Sequence, residues 1–251
     1  MERRKFIEIC VAGSTANAAC AAAQAHAADP APAAKPAGPP IALTEKRYAR
    51  VKLVDADGRA VKAKSLKANH NYVFHYPFNS TPCFLLKLDQ AVADKAALKI
   101  ESGGTYSSVG GAGSEKNIVA FSAICAHKLA YPAKQVSFIS YRADARVGSA
   151  VTTRAKVIAC CADKSVYDPT QGARVVSGPA PQPLATILLE HDAKTDELYA
   201  TGTLGGEKFD AFFEKYEFKL SLEMGGKARE KVGGTTVLSD LTAYSSQTAQ
   251  C

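Results

Sequence analysis

No run of about 20 uninterrupted apolar residues occurs in the 251-residue sequence, which excludes a protein that crosses a membrane several times. Also missing is any dense cluster of Lys and Arg interleaved with aromatics. The 31 basic and 24 acidic residues, net +7, are spread along the chain, so nucleic acid is not an expected partner. No internal repeat is visible. An even cysteine count is lacking too: seven cysteines exclude a framework in which all are paired. What is present is an apolar content of 47% with 22% charged residues, ordinary for a globular core and too rich for a wholly disordered chain. The length allows one good-sized domain or two small ones.

The N-terminus carries a twin arginine, Arg3-Arg4, followed by Lys5-Phe6-Ile7, an Ala-rich weakly apolar run, and small residues at Ala25 and Ala27. This arrangement looks like a twin-arginine export signal with cleavage after Ala27, the route of proteins that fold before crossing the membrane. A periplasmic location is therefore expected, with membrane association through a partner or a retained signal as the alternative. Residues 28–40 are rich in Pro and Ala and form an extended, semi-rigid linker. Without residues 1–27 the chain keeps 28 basic and 22 acidic residues, net +6, because Arg3, Arg4, Lys5, Glu2 and Glu8 are gone. It also loses Cys10 and Cys20, leaving Cys83, Cys125, Cys160, Cys161 and Cys251.

From residue 41 onward a single all-β domain, mainly antiparallel, is expected to run to the end of the chain. Short apolar runs alternate with turn residues, and strands are predicted at 48–54, 71–76, 83–88, 118–124, 136–141 and 156–159. A hairpin is predicted from 186–190 and 197–201. The Gly/Ser-rich stretch 102–114 reads as a mobile loop. One helix follows: Phe209, Phe212, Phe213, Tyr216 and Leu220 recur at helical spacing as a core-facing stripe.

Two loops carry candidate chemistry. Cys125-Ala126-His127 ends one strand, and Cys160-Cys161-Ala162-Asp163-Lys164-Ser165-Val166-Tyr167-Asp168 follows another. Soft and borderline donors at two strand ends are the pattern of a metal site. With Gly178-Pro179-Ala180-Pro181-Gln182-Pro183-Leu184 downstream, the sequence resembles the Rieske iron–sulfur family over roughly residues 70–205. That family has Cys-x-His in one loop and Cys-x-x-His in a second, with two Cys on one iron and two His on the other. A lobe bearing the cluster would span about residues 120–184. Carried over position by position, the resemblance makes Cys125, His127 and Cys160 ligands and puts Asp163 where the second His belongs. Ser165 and Tyr167 match hydroxyl donors to a cluster sulfide and a ligand sulfur, which tune its potential. Gly178, Pro179, Ala180 and Pro181 match the loop that shields the cluster. The family's bridge between the two loops is absent, because its positions are Ala130 and Ala162, and Lys164 replaces a usual Gly.

The resemblance and the export signal together imply an exported electron-transfer protein, or a subunit of a periplasmic oxidoreductase or respiratory complex. It would carry a 2Fe-2S cluster of variant ligation and relay single electrons to a partner such as a cytochrome or a catalytic subunit. An acidic redox partner suits the basic excess. With Asp163 at the position that faces quinol in cytochrome bc complexes, standard quinol chemistry is not implied. No nucleophile–base arrangement accompanies the loops, so catalysis by the chain alone is not expected. Two alternatives stand beside this. One is a Rieske fold that has lost its cluster and acts as a structural or interaction subunit, with Cys125 paired to Cys160 or Cys161. The other is a single zinc or copper ion on Cys125, His127, Cys160 and Cys161. Cys83 and Cys251 are a candidate disulfide, which would leave Cys161 unpaired. His75 and His191 are read as structural.

Overall fold

The structure, a computed structural model, describes residues 42–92 and 95–251. The expected export signal and linker lie outside the described residues. Mostly β structure is found, with fourteen strands among the described residues and one long helix near the C-terminus.

The principal sheet has eight strands. In chain order these are β1 (Lys46–Val54), β2 (Tyr72–His75), β3 (Pro82–Lys87), β6 (Ile118–Ser122), β11 (Thr186–Asp192), β12 (Glu197–Leu204), β13 (Thr235–Val237) and β14 (Ser239–Asp240). Their spatial order is β13-β1-β12-β11-β6-β3-β2-β14. All neighbours are antiparallel except β1 and β13, which run parallel. Only Leu238 separates β13 on one edge from β14 on the other, so one extended stretch runs along both edges and the sheet curls into a nearly closed barrel. Curling of this kind leaves little of the exposed edge that a flat sheet would offer.

The patterns of β3 and β6 follow from burial on both faces. Cys83, Leu85, Ile118 and Ala120 face the barrel interior with Val51, Leu53, Phe74, Tyr76 and Leu198. Their neighbours Phe84, Leu86, Val119 and Phe121 face outward and are also buried, under a second sheet. A strand covered on both sides reads as a continuous apolar run, which is why Cys-Phe-Leu-Leu and Ile-Val-Ala-Phe show no alternation.

The covering layer is a four-stranded antiparallel meander of β7 (Ile139–Arg142), β8 (Val157–Cys160), β9 (Val166–Asp168) and β10 (Arg174–Ser177), in the order β10-β9-β8-β7. Ile139, Tyr141, Ile158 and Tyr167 are its contribution to the shared core. A third pair, β4 (Ala97–Lys99) and β5 (Thr105–Ser107), packs Leu98 and Tyr106 against Leu188 and Leu204. The stretch expected to be a mobile loop therefore contains a strand. Packing against the barrel supplies what its Gly/Ser composition lacks.

The aromatic stripe forms α1 (Phe209–Met224), with Phe209, Phe212, Phe213 and Leu220 buried. They pack on Ile124 and Tyr131, which flank the first candidate ligand loop. Phe212 meets Tyr131 edge-on at 4.9 Å between centroids, a favourable aromatic geometry. A short α2 (Leu241–Tyr244) precedes the C-terminal tail. No helix among the described residues is long and apolar enough to cross a membrane.

Candidate metal centre

The two candidate loops share one design. After β6, Cys125 opens a six-residue turn closed by Cys125 N–H to Ala130 O (2.8 Å) and Leu129 N–H to Cys125 O (3.0 Å). Between β8 and β9, Cys160 opens another, closed by Cys160 N–H to Ser165 O (2.8 Å) and Lys164 N–H to Cys160 O (2.9 Å). The fifth residue of each, Leu129 at φ 58° and Lys164 at φ 65°, is left-handed. Such a conformation costs a non-glycine residue roughly 1–2 kcal/mol, so both turns are held by their surroundings rather than by local preference.

The turns bring their donors together. The ligating atoms of Cys125, Cys160 and Asp163 all lie within 4.8 Å of one another. Cys125 Sγ is 3.0 Å from Asp163 Oδ2, and His127 Nδ1 is 3.2 Å from the same oxygen. Both cysteines are fully buried. The Asp163 side chain is 1% exposed, whereas His127 is 37% exposed and marks the surface end of the cluster. Cys125 and Cys160 are free thiols, so the structural disulfide between the two loops expected for a degenerate fold is not formed.

The electrostatics follow from this crowding. Contact with Cys160 pulls the Cys125 thiol below its ordinary range, and the same contact, aided by burial, pushes Cys160 up. Burial opposes ionisation of Asp163, but the Cys125 thiol and the Ser165 N–H outweigh it and hold the carboxyl low. Ser165 N–H donates to Asp163 Oδ1 at 2.9 Å.

Tyr167 is fully buried, and burial pushes its phenol up. Its Oη accepts from Ala126 N–H (3.2 Å) and lies 3.4 Å from Cys125 Sγ, so its proton is free to point at the sulfur. Ser165 Oγ accepts from Ala180 N–H at 3.1 Å. That bond ties the Gly178–Pro181 segment across the second loop. Gly178 has φ +90°, and a Cβ there would stand 2.4 Å from Lys164 O. Only glycine permits this approach.

Cys161 is not available as a ligand. It is disulfide-bonded to Cys251, which corrects two expectations at once: Cys161 is not the unpaired cysteine, and Cys83 does not pair with the tail. Cys83 points into the barrel, where its thiol lies 3.0 Å from Tyr76 O. The histidines read as structural have such partners, His75 with Tyr244 Oη (2.9 Å) and His191 with Asp196 (2.9 Å). One residue had no sequence signal at all. Arg142, 3% exposed, directs its guanidinium at the disulfide, 2.6 Å from Cys251 Sγ and 3.4 Å from Cys161 Sγ.

No family model matches the chain. Among solved structures, the soluble domain of Rieske protein II from Sulfolobus acidocaldarius is similar at 27% sequence identity and a TM-score of 0.42. The likeness covers 62% of this chain and 78% of that one. At that TM-score it defines neither the fold nor the site, both of which rest on the residues described above.

Proposed function

We propose that this chain is a Rieske-type electron-transfer protein, with Cys125 and Cys160 on one iron of a 2Fe-2S cluster and His127 and Asp163 on the other. The observation that carries the proposal is the convergence, from two loops of one design, of two buried free thiols, a buried carboxylate and an imidazole. By kind and number these donors fit such a cluster, two sulfurs for one iron and a nitrogen with an oxygen for the other. The 3.2 Å between His127 Nδ1 and Asp163 Oδ2 suits two donors on one tetrahedral ion with bonds of roughly 2.0–2.2 Å.

Bound, the cluster supplies one-electron transfer at a potential set by its ligands and hydrogen bonds. The chain sets that potential in two opposing ways. An anionic carboxylate in place of neutral imidazole favours the oxidised state, whereas the Tyr167 hydroxyl at Cys125 favours the reduced one. Exposed His127 gives a partner close access, and exposed Lys128, Lys164 and Lys215 on or against the ligand loops supply positive charge for an acidic redox protein. Such a partner would be a cytochrome or a catalytic subunit, within a membrane complex or apart from one. The Cys161–Cys251 disulfide supports an oxidising compartment, and with it the export assigned to the leader.

Anaerobic purification followed by assay of iron, acid-labile sulfide and the EPR spectrum of the reduced protein tests the proposal. Equal iron and sulfide are expected, with a changed spectrum in Asp163→Asn. Protein without either after reconstitution refutes it. The compactness of Cys125, Cys160 and Asp163, all within 4.8 Å, favours a second reading, a single ion such as zinc. One metal per chain without sulfide would establish that reading instead.

A further inference from the structure

We infer that the C-terminal tail and its terminal disulfide are the tie that positions the two ligand loops against each other. This rests on reading those loops as ligand-bearing. The tail runs beside the chain that leaves the first loop. Ser245 Oγ donates to Ala133 O (2.7 Å), Ser246 N–H to Lys134 O (2.8 Å), Ser137 N–H to Gln247 O (2.9 Å) and Ala249 N–H to Ser137 O (2.8 Å). Thr248 and Ser137 pair as a parallel bridge. The tail ends at Cys251, bonded to Cys161, the residue after candidate ligand Cys160.

Further contacts seat the clasp. Cys161 N–H donates to Phe138 O at 2.7 Å, so the second loop is also pinned by backbone to the segment under the tail. Arg142 spans the junction, with one nitrogen at both disulfide sulfurs and the other donating to Ser149 Oγ at 3.0 Å. Ser149 Oγ in turn donates to Cys251 O. The first loop is thus joined through 131–137 and the tail to the second loop by hydrogen bonds that end in a covalent bond. Ala130 and Ala162 hold no bridge between the loops, and Cys161–Cys251 is the one disulfide among the described residues. The positioning residues are Cys161, Cys251 and Arg142; none of them offers a donor to the metal.

The test uses the full chain as Cys161→Ser/Cys251→Ser, so that no extra thiol is left beside Cys160. Two readouts are followed: iodoacetamide labelling of Cys125 and Cys160 in folded, metal-free protein, and Co²⁺ titration through the sulfur-to-cobalt charge-transfer band. Loss of the clasp is expected to speed labelling and weaken Co²⁺ each by roughly ten-fold or more, because the loops open locally without global unfolding. Wild type treated with a dithiol, which takes the disulfide to two thiols as it closes its own ring, is expected to match the variant in Co²⁺ affinity. Labelling and affinity within about two-fold of wild type overturn the inference. Leu198→Ala, which weakens the barrel interior, controls for general destabilisation, and equal acceleration in that variant also overturns it. If Co²⁺ gives no charge-transfer band even in wild type, the metal reading fails, while the labelling comparison still decides the clasp.

Discussion

Gly178→Ala isolates the contact between the proline-rich segment and the second ligand loop. At φ +90° an alanine carries a left-handed backbone cost of about 1–2 kcal/mol. Its Cβ would also stand 2.4 Å from Lys164 O and 2.5 Å from Ser165 Cα. Both are backbone atoms of a turn closed at each end, so neither yields by a rotamer change. Forced overpacking of this kind costs roughly 1–3 kcal/mol. Together the loss is about 2–5 kcal/mol, within reach of a domain whose whole stability is typically about 5–15 kcal/mol.

Urea unfolding followed by far-UV circular dichroism measures this loss. With a slope of about 2 kcal/mol/M, the midpoint should fall by roughly 1–2.5 M while the slope stays the same. Relief of the clash lifts the segment from the loop, so the Ala180–Ser165 bond should go with it, read as faster amide exchange at Ala180. Gly226→Ala is the control, because nothing lies within 4 Å of its Cβ position and its φ is ordinary; it should stay within about 0.5 kcal/mol. A Gly178→Ala midpoint no lower than that of Gly226→Ala would refute the close approach.

Burial pulls the His75 imidazole down to about 4, below the unfolded value of about 6.5. The unfolded chain then takes up its proton first, so the contribution is complete above about 6.5 and is lost as pH falls towards 4, up to about 3 kcal/mol. Urea midpoints between pH 4 and 7 should slope less in His75→Gln than in wild type, and identical slopes contradict the assignment. Phe212→Ala removes a fully buried ring that meets Tyr131 and Tyr216, a loss of about 3–5 kcal/mol. At roughly 2–4 °C per kcal/mol for a domain of this size, the melting temperature should drop by about 6–20 °C, and a drop of a degree or two would mean that α1 does not brace the first loop.

Elements marked by an apolar run or stripe were legible, because that pattern follows from their burial. Strands β1, β2, β3, β6, β7, β8, β11 and β12 and helix α1 fall where the apolar runs lie. The short strands were not. Three residues such as Thr235–Val237 or Thr105–Ser107 hold too little pattern, and their conformation comes from the partner strand or the hydrophobic wall they join. At the site, Cys125 and Cys160 could be picked out because each loop starts at a strand end, whereas Asp163 was singled out only by the resemblance to the Rieske family. Their convergence depends on the meander folding over β3 and β6, which no local stretch encodes. The partner of Cys251 was illegible for a similar reason. The sequence reading paired it with Cys83 and left Cys161 over, and only the inward face of β3 removes Cys83 from reach.

The seam of the barrel also has a consequence in time. The stretch that joins its two edges ends at Asp240, so during synthesis the ring must stand open until Asp240 has been made. Strands β1 and β2, among the first described elements to be made, wait with one edge unpaired for a partner made almost at the end. Cys251 lies further on still, so the bond that locks the ligand loops cannot form before the last strand of the ring has been made. Assembly order is thereby written into the topology: a chain that stops short of Asp240 has neither the joined edges nor the clasp, and only one that reaches Cys251 can acquire both.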